Sequence, residues 1–147
     1  MKIAKFFKFW FPVFLYSGII FRVSAIPNLR APLEEFNADK LWHLGEYCIL
    51  GFLAARALTN TKTNLSDKVV FYSVFLFCLF YGISDEFHQS FVVGRYADWK
   101  DALSDTIGGC FGGWIYLKLR LSKYYQKLLQ RRKVNKERKN YDPHQAF

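Results

Sequence analysis

A chain of 147 residues that is 52% hydrophobic and 20% aromatic, with sixteen Phe, nine Tyr and four Trp, is too apolar for an ordinary soluble domain of its size. Its formal charge is +9, and that charge is segregated along the chain instead of being spread over it. The three cysteines, Cys48, Cys78 and Cys110, each stand alone in an apolar stretch without metal-ligand or redox spacing, which excludes a disulfide framework and makes them small buried hydrophobes.

Four apolar runs follow one another, apolar on all faces rather than striped, as lipid-facing or deeply buried helices are. The first covers residues 6–26 and is interrupted by Lys8 and Arg22. Its basic start and the small residues Val23, Ser24 and Ala25 have the pattern of a cleavable leader, but Pro27 and the long aromatic stretch argue for a retained span. The second run covers residues 41–59 and contains His43 and Glu46. The third covers residues 69–84 and passes into Ser84-Asp85-Glu86-Phe87-His88-Gln89; the fourth covers residues 102–117, with Asp105 near its start. A span needs roughly 20 residues, so the last three reach full length only with their polar ends. The expected fold is an all-α integral membrane protein, a bundle of four transmembrane helices within residues 1–121, followed by a basic tail over residues 122–147.

Charge sets the expected orientation. With both termini in the cytoplasm, sixteen of the 21 Lys and Arg lie inside, and nine of the twelve acidic residues lie outside or at outer helix ends. That is the asymmetry of the positive-inside rule. The tail from Lys118 to Lys139 directly follows a span, so its expected partner is anionic lipid of the inner leaflet and not nucleic acid.

In this orientation Asp39, His43 and Glu46 lie in the outer turns of the second helix. Asp85, Glu86, His88 and Gln89 end the third helix on the same side, and Asp98, Asp101 and Asp105 open the fourth. Spacings of three and four put Asp39, His43 and Glu46 on one face. Asp85 aligns with His88 and Gln89, while Glu86 points about 100° away, and Asp101, Asp105 and Gly109 align. The expected result is an outward-facing acidic cup with two imidazoles, capped by Arg95. Asp39 and Asp98 also suit helix N-caps, and Asp101 could pair with Lys100 or Arg95. Gly108 with Gly112, and Gly109 with Gly113, are small-residue pairs that let helices approach closely.

These residues carry a resemblance. Asp39-Lys40-Leu41-Trp42-His43 with Tyr47 is similar to the first signature of the VanZ-like membrane family. Ser84 to Gln89, then Gly94-Arg95, then Asp101 to Gly108, is similar to the second. The resemblance covers roughly residues 10–117. It implies a multi-pass protein of a bacterial inner membrane with a role in the cell envelope or in resistance to teicoplanin-type glycopeptides. In one departure, the family usually carries Asn where this chain has Asp105.

Four mechanisms remain open from the residues. An enzyme acting on a lipid-linked wall precursor would use Glu86 or Asp85 as base, His88 or His43 as proton partner and Arg95 as anion clamp. A non-catalytic protein would hold the precursor or the glycopeptide with Asp39, Glu46, Gln89, Arg95, Asp101 and Asp105. A metal site could use His43 with Glu46 and Asp85 with His88, pairs at i,i+3, although no metal ligand set is assigned and no cofactor is named by the sequence. A proton-coupled carrier is disfavoured, because the charges sit at one end instead of mid-membrane.

Overall fold

The computed structural model describes residues 3–27, 38–62 and 64–140, the side chains of residues 38, 39 and 132–140 excepted. Five α-helices form: α1 (Ile3–Phe9), α2 (Phe11–Ser24), α3 (Ala38–Thr61), α4 (Asp67–Gln89) and α5 (Trp99–Asn140). Among the described residues there is no strand.

The first apolar run is not the single straight helix expected. It breaks at Trp10, and α1 and α2 meet at 41°. Pro12 supplies the reason. It has no N–H to give the carbonyl of Lys8, four residues back, and its ring crowds that carbonyl. The freed Lys8 oxygen accepts instead from Arg56 Nη1 of α3 at 3.4 Å, while the Arg56 guanidinium lies 5.0 Å over the Phe9 ring.

The later helices start where polar side chains replace missing backbone partners. Ser66 caps α4 by accepting from the Val69 N–H at 3.3 Å, with Asp67 favourable in the first turn. Asp98 caps α5 as expected, accepting from the Lys100 N–H at 2.9 Å. That bond, reinforced by Lys40, holds the Asp98 carboxyl below its usual range. Helix α3 begins at Ala38, so Asp39 falls inside its first turn and not at its cap; its side chain lies outside the described residues.

Contacts at both ends show that α2, α3, α4 and the first part of α5 alternate in direction. At one end Trp10 Nε1 donates to Thr61 Oγ1 at 3.3 Å, and Tyr116 Oη sits 3.0 Å from both Thr59 Oγ1 and Asn60 Nδ2. At the other end Ser24, His43, Asp85 and Asp105 meet, as described below. Between them lies a core of Val13, Ile20, Tyr47, Leu50, Ala54, Ala57, Val70, Val74 and Cys78.

Glycine controls the depth of this packing. A Cβ on Gly108 would overlap the Leu44 carbonyl of α3, and one on Gly112 would overlap the Cys48 carbonyl one turn on. Gly51 meets the backbone of Gly109 in the same way. The other glycine pair faces α4, where Gly109 abuts Cys78 and Gly113 abuts Val74. The overlapping pairs read from the sequence therefore serve two neighbours, one face each.

The outer faces are apolar. Phe14 is 58% exposed, Phe80 65% and Phe87 67%, and Phe11, Leu15, Leu76 and Ile83 of the same helices are exposed as well. Among the described helices, α4 alone is long and apolar enough to cross a membrane, and α1 with α2 qualifies only as a bent pair. Residues 117–147 form a second unit. In it α5 continues to Asn140, well beyond the expected end of the fourth run at residue 117, with Leu119, Leu121, Tyr124, Tyr125 and Leu128 exposed.

Candidate functional site

Helix α4 ends in two polar faces, and each finds different partners. On the first face Asp85, 4% exposed, accepts from Ser24 Oγ of α2 at 2.7 Å and from Gln89 Nε2 at 2.9 Å. His88 Nδ1 lies 3.4 Å from the same Ser24 Oγ, and its ring stacks on Phe21 with centroids 4.2 Å apart. With Nδ1 protonated, the imidazole donates to Ser24 and Ser24 donates to Asp85, giving a short relay across α2 and α4.

Glu86 occupies the second face, rotated toward α3 and α5 as one residue along a helix requires. Its Oε2 accepts from the Asp98 N–H at 2.8 Å, tying the end of α4 to the entry of α5. Gln89 Nε2 also reaches Glu86 Oε1 at 3.4 Å, so this amide bridges the two faces. Across from Glu86, His43 Nδ1 of α3 and Asp105 Oδ1 of α5 are 2.9 Å apart. His43, Glu86 and Asp105 each present a ligand-type atom, and these atoms lie within 4.8 Å of one another.

A third group rims the cluster. Lys40 Nζ donates to Asp101 Oδ1 at 2.8 Å and to Asp98 Oδ2 at 3.4 Å. Asp101 therefore pairs with Lys40 and not with the expected Lys100 or Arg95. Glu46, half-buried on α3, lies within electrostatic range of His43, Asp105, Asp85 and Arg95. Arg95 follows Gly94, whose φ of 78° needs a residue without a Cβ. Its Nε is buried and has no partner among the described residues. The same is true of Asp105 Oδ2 and of the Tyr47 hydroxyl.

The structure thus places Asp85, Glu86, His88, Gln89, His43, Glu46, Asp101 and Asp105 at one end of the helices. It corrects the pairings. His43 converges with Glu86 of α4 and Asp105 of α5 and not with Glu46, while Asp85 and His88 meet at Ser24. Ser24, Phe21 and Lys40 were not anticipated as site residues. A lone serine at the end of an apolar run carries no signal beyond its polarity, and only its register opposite Asp85 gives it a role.

Ser24→Ala removes a buried hydrogen bond to a carboxylate, a kind of interaction worth about 1.5–3 kcal/mol. Thermal unfolding in detergent is expected to show a loss of that order. Ser24→Thr is expected to keep most of it.

An all-α chain whose carboxylates and imidazoles from three helices, with a serine from a fourth, are drawn to one end defines the class. A family model described as VanZ/LLP1 matches residues 2–121, and the chain belongs to that family. No curated protein and no solved structure matches the chain.

Proposed function

We propose that this VanZ/LLP1 protein crosses the membrane four times, with both termini cytoplasmic, and acts at the outer surface on the polar headgroup of an envelope ligand. The ligand is a lipid-linked wall precursor or a teicoplanin-type glycopeptide. His43, Asp105 and Glu86 form its polar centre, and Arg95 grips an anionic part of the headgroup. The observation that carries this reading is the meeting of His43, Glu86 and Asp105 within 4.8 Å from three separate helices. Charged and polar side chains gathered at one end of apolar helices are costly in a membrane and mark function. The apolar outer faces suit lipid contact, because so many large apolar side chains are exposed on these helices. The segregation of Lys and Arg supports the orientation.

The test is Glu86→Gln and His43→Ala, scored for teicoplanin susceptibility and envelope lipid profile at matched expression. Single cysteines at Ser90 and Lys123, in a background lacking the native three, report sidedness. Expected are loss of the protective phenotype in both variants, labelling of position 90 from outside and of position 123 from the cytoplasm only. Unchanged susceptibility and lipids in both variants overturn the role. Labelling of both positions from one side overturns the topology.

A further inference from the structure

We propose that His43, Glu86 and Asp105 are the protein ligands of one divalent transition cation, zinc before all others, held between α3, α4 and α5. The three ligand-type atoms already lie within 4.8 Å of one another, so sub-ångström to ångström side-chain shifts bring them to a common centre at the roughly 2.0–2.2 Å of zinc–nitrogen and zinc–oxygen bonds. An acidic cluster alone would not justify a metal. Here a second observation points to a ligand. Asp105 is 0% exposed, and its Oδ2 has no hydrogen-bond partner among the described residues. A carboxylate oxygen stripped of water is costly without a proton donor or a cation.

That oxygen is packed against α4. It lies against Gly82 of α4, where a Cβ would stand only 3.0 Å from it. Gly82 is one turn before Glu86, so this contact and the second carboxylate share a face of α4. Charge points the same way. Asp85, Glu86 and Asp105 are all buried, yet among the described residues no Lys or Arg forms an ion pair with them; Lys40 is engaged by Asp98 and Asp101. On binding the cation His43 releases its proton, and the neutral imidazole with two carboxylates then offers two negative charges, which one divalent cation balances. Imidazole favours zinc-type transition ions over magnesium or calcium. Three protein ligands leave a further coordination position, as open zinc sites do, and the phosphate or carboxylate of a headgroup suits it. This deepens the function proposed above but does not depend on which side of the membrane the site faces.

The experiment uses the full chain in detergent, with any purification tag removed and metal stripped by EDTA, then re-equilibrated with Zn(II) or Mn(II) and desalted. Elemental analysis is expected to find about one zinc per chain, and thermal unfolding is expected to shift upward with Zn(II). His43→Ala, Glu86→Gln and Asp105→Asn are each expected to weaken uptake by more than the about 10–100-fold that losing an outer partner of a metal ligand costs. Visible ligand-field bands of added Co(II) report the site in the wild-type chain, without reliance on variants that fold poorly. Wild-type protein that holds neither metal and shows no thermal shift overturns the proposal. So does zinc held equally by folded variants of all three residues. A metal-free chain whose Glu86→Gln variant still loses protection overturns the cation and leaves the envelope role standing. Zinc bound with susceptibility untouched does the reverse.

Discussion

Gly112→Val is expected to leave almost no folded protein, whereas Gly45→Ala, on α3, is expected to be tolerated or mildly stabilising. The contrast follows from what each new methyl group meets. At Gly112 a Cβ overlaps the Cys48 carbonyl, and at Gly108 it overlaps that of Leu44. Both obstacles are backbone of α3 and cannot swing aside as a side chain does. Ordinary overpacking costs about 1–3 kcal/mol because neighbouring side chains re-pack. Here the helices must separate, which also opens the contacts of Gly51 with Gly109 and strips the core around Tyr47 and Leu50. The cost is expected to exceed 3 kcal/mol, a large share of a typical total stability. At Gly45 and Gly18 nothing lies within 4 Å of a Cβ. Alanine there gains helix propensity, about 0.5–1 kcal/mol over glycine. Size-exclusion profiles and melting in detergent for Gly112→Val, Gly108→Ala, Gly45→Ala and Gly18→Ala check the ordering. Equal stability of Gly108→Ala and Gly45→Ala would contradict the close approach.

The gathering of the site at one end was legible because polar residues break apolar runs at regular intervals, and alternating helices must return such breaks to the same side. Faces on one helix were legible too: the 100° between Asp85 and Glu86 separates the partner Ser24 from the partner Asp98. Partners across helices were not. Spacing along α3 says that His43 and Glu46 are neighbours, but the approach of α5 that sets His43 against Asp105 depends on how deeply the glycines let it pack. Lys40 looked like one more outer charge until the start of α3 was set beside the start of α5, where it meets Asp98 and Asp101. The bend at Trp10 had a visible cause in Pro12, yet a proline near a run of Phe reads equally as an interruption that a long span tolerates. The continuation of α5 past residue 117 had a signal in the helical spacing of Leu121, Tyr124, Tyr125 and Leu128, but the ten Lys and Arg of residues 118–140 outweigh it and read as a basic tail.

His43→Leu is expected to destabilise the fold by about 3–5 kcal/mol, and the double change His43→Leu with Asp105→Leu is expected to recover most of that loss. Breaking one side of a buried charged pair leaves the other side without compensation, whereas replacing both by apolar residues of similar shape is often neutral or stabilising. Asp105 is fully buried, and its contact with His43 Nδ1 at 2.9 Å is the one hydrogen bond its carboxylate makes among the described residues. Leucine has the same branching as aspartate, and Gly82 offers no Cβ to obstruct it. Melting of the wild-type chain, both single variants and the double variant in one detergent gives the coupling, expected to be about 2–3 kcal/mol. Simple additivity would show that His43 and Asp105 do not act as a pair. The double variant then separates structure from chemistry. It keeps the packing of α3 on α5 but has neither the imidazole nor the carboxylate, so it is expected to fold, to bind no zinc and to give no protection against teicoplanin. A folded double variant that still protects would place the activity outside the His43–Asp105 pair, and leave it to Glu86 or to the relay of His88, Ser24 and Asp85.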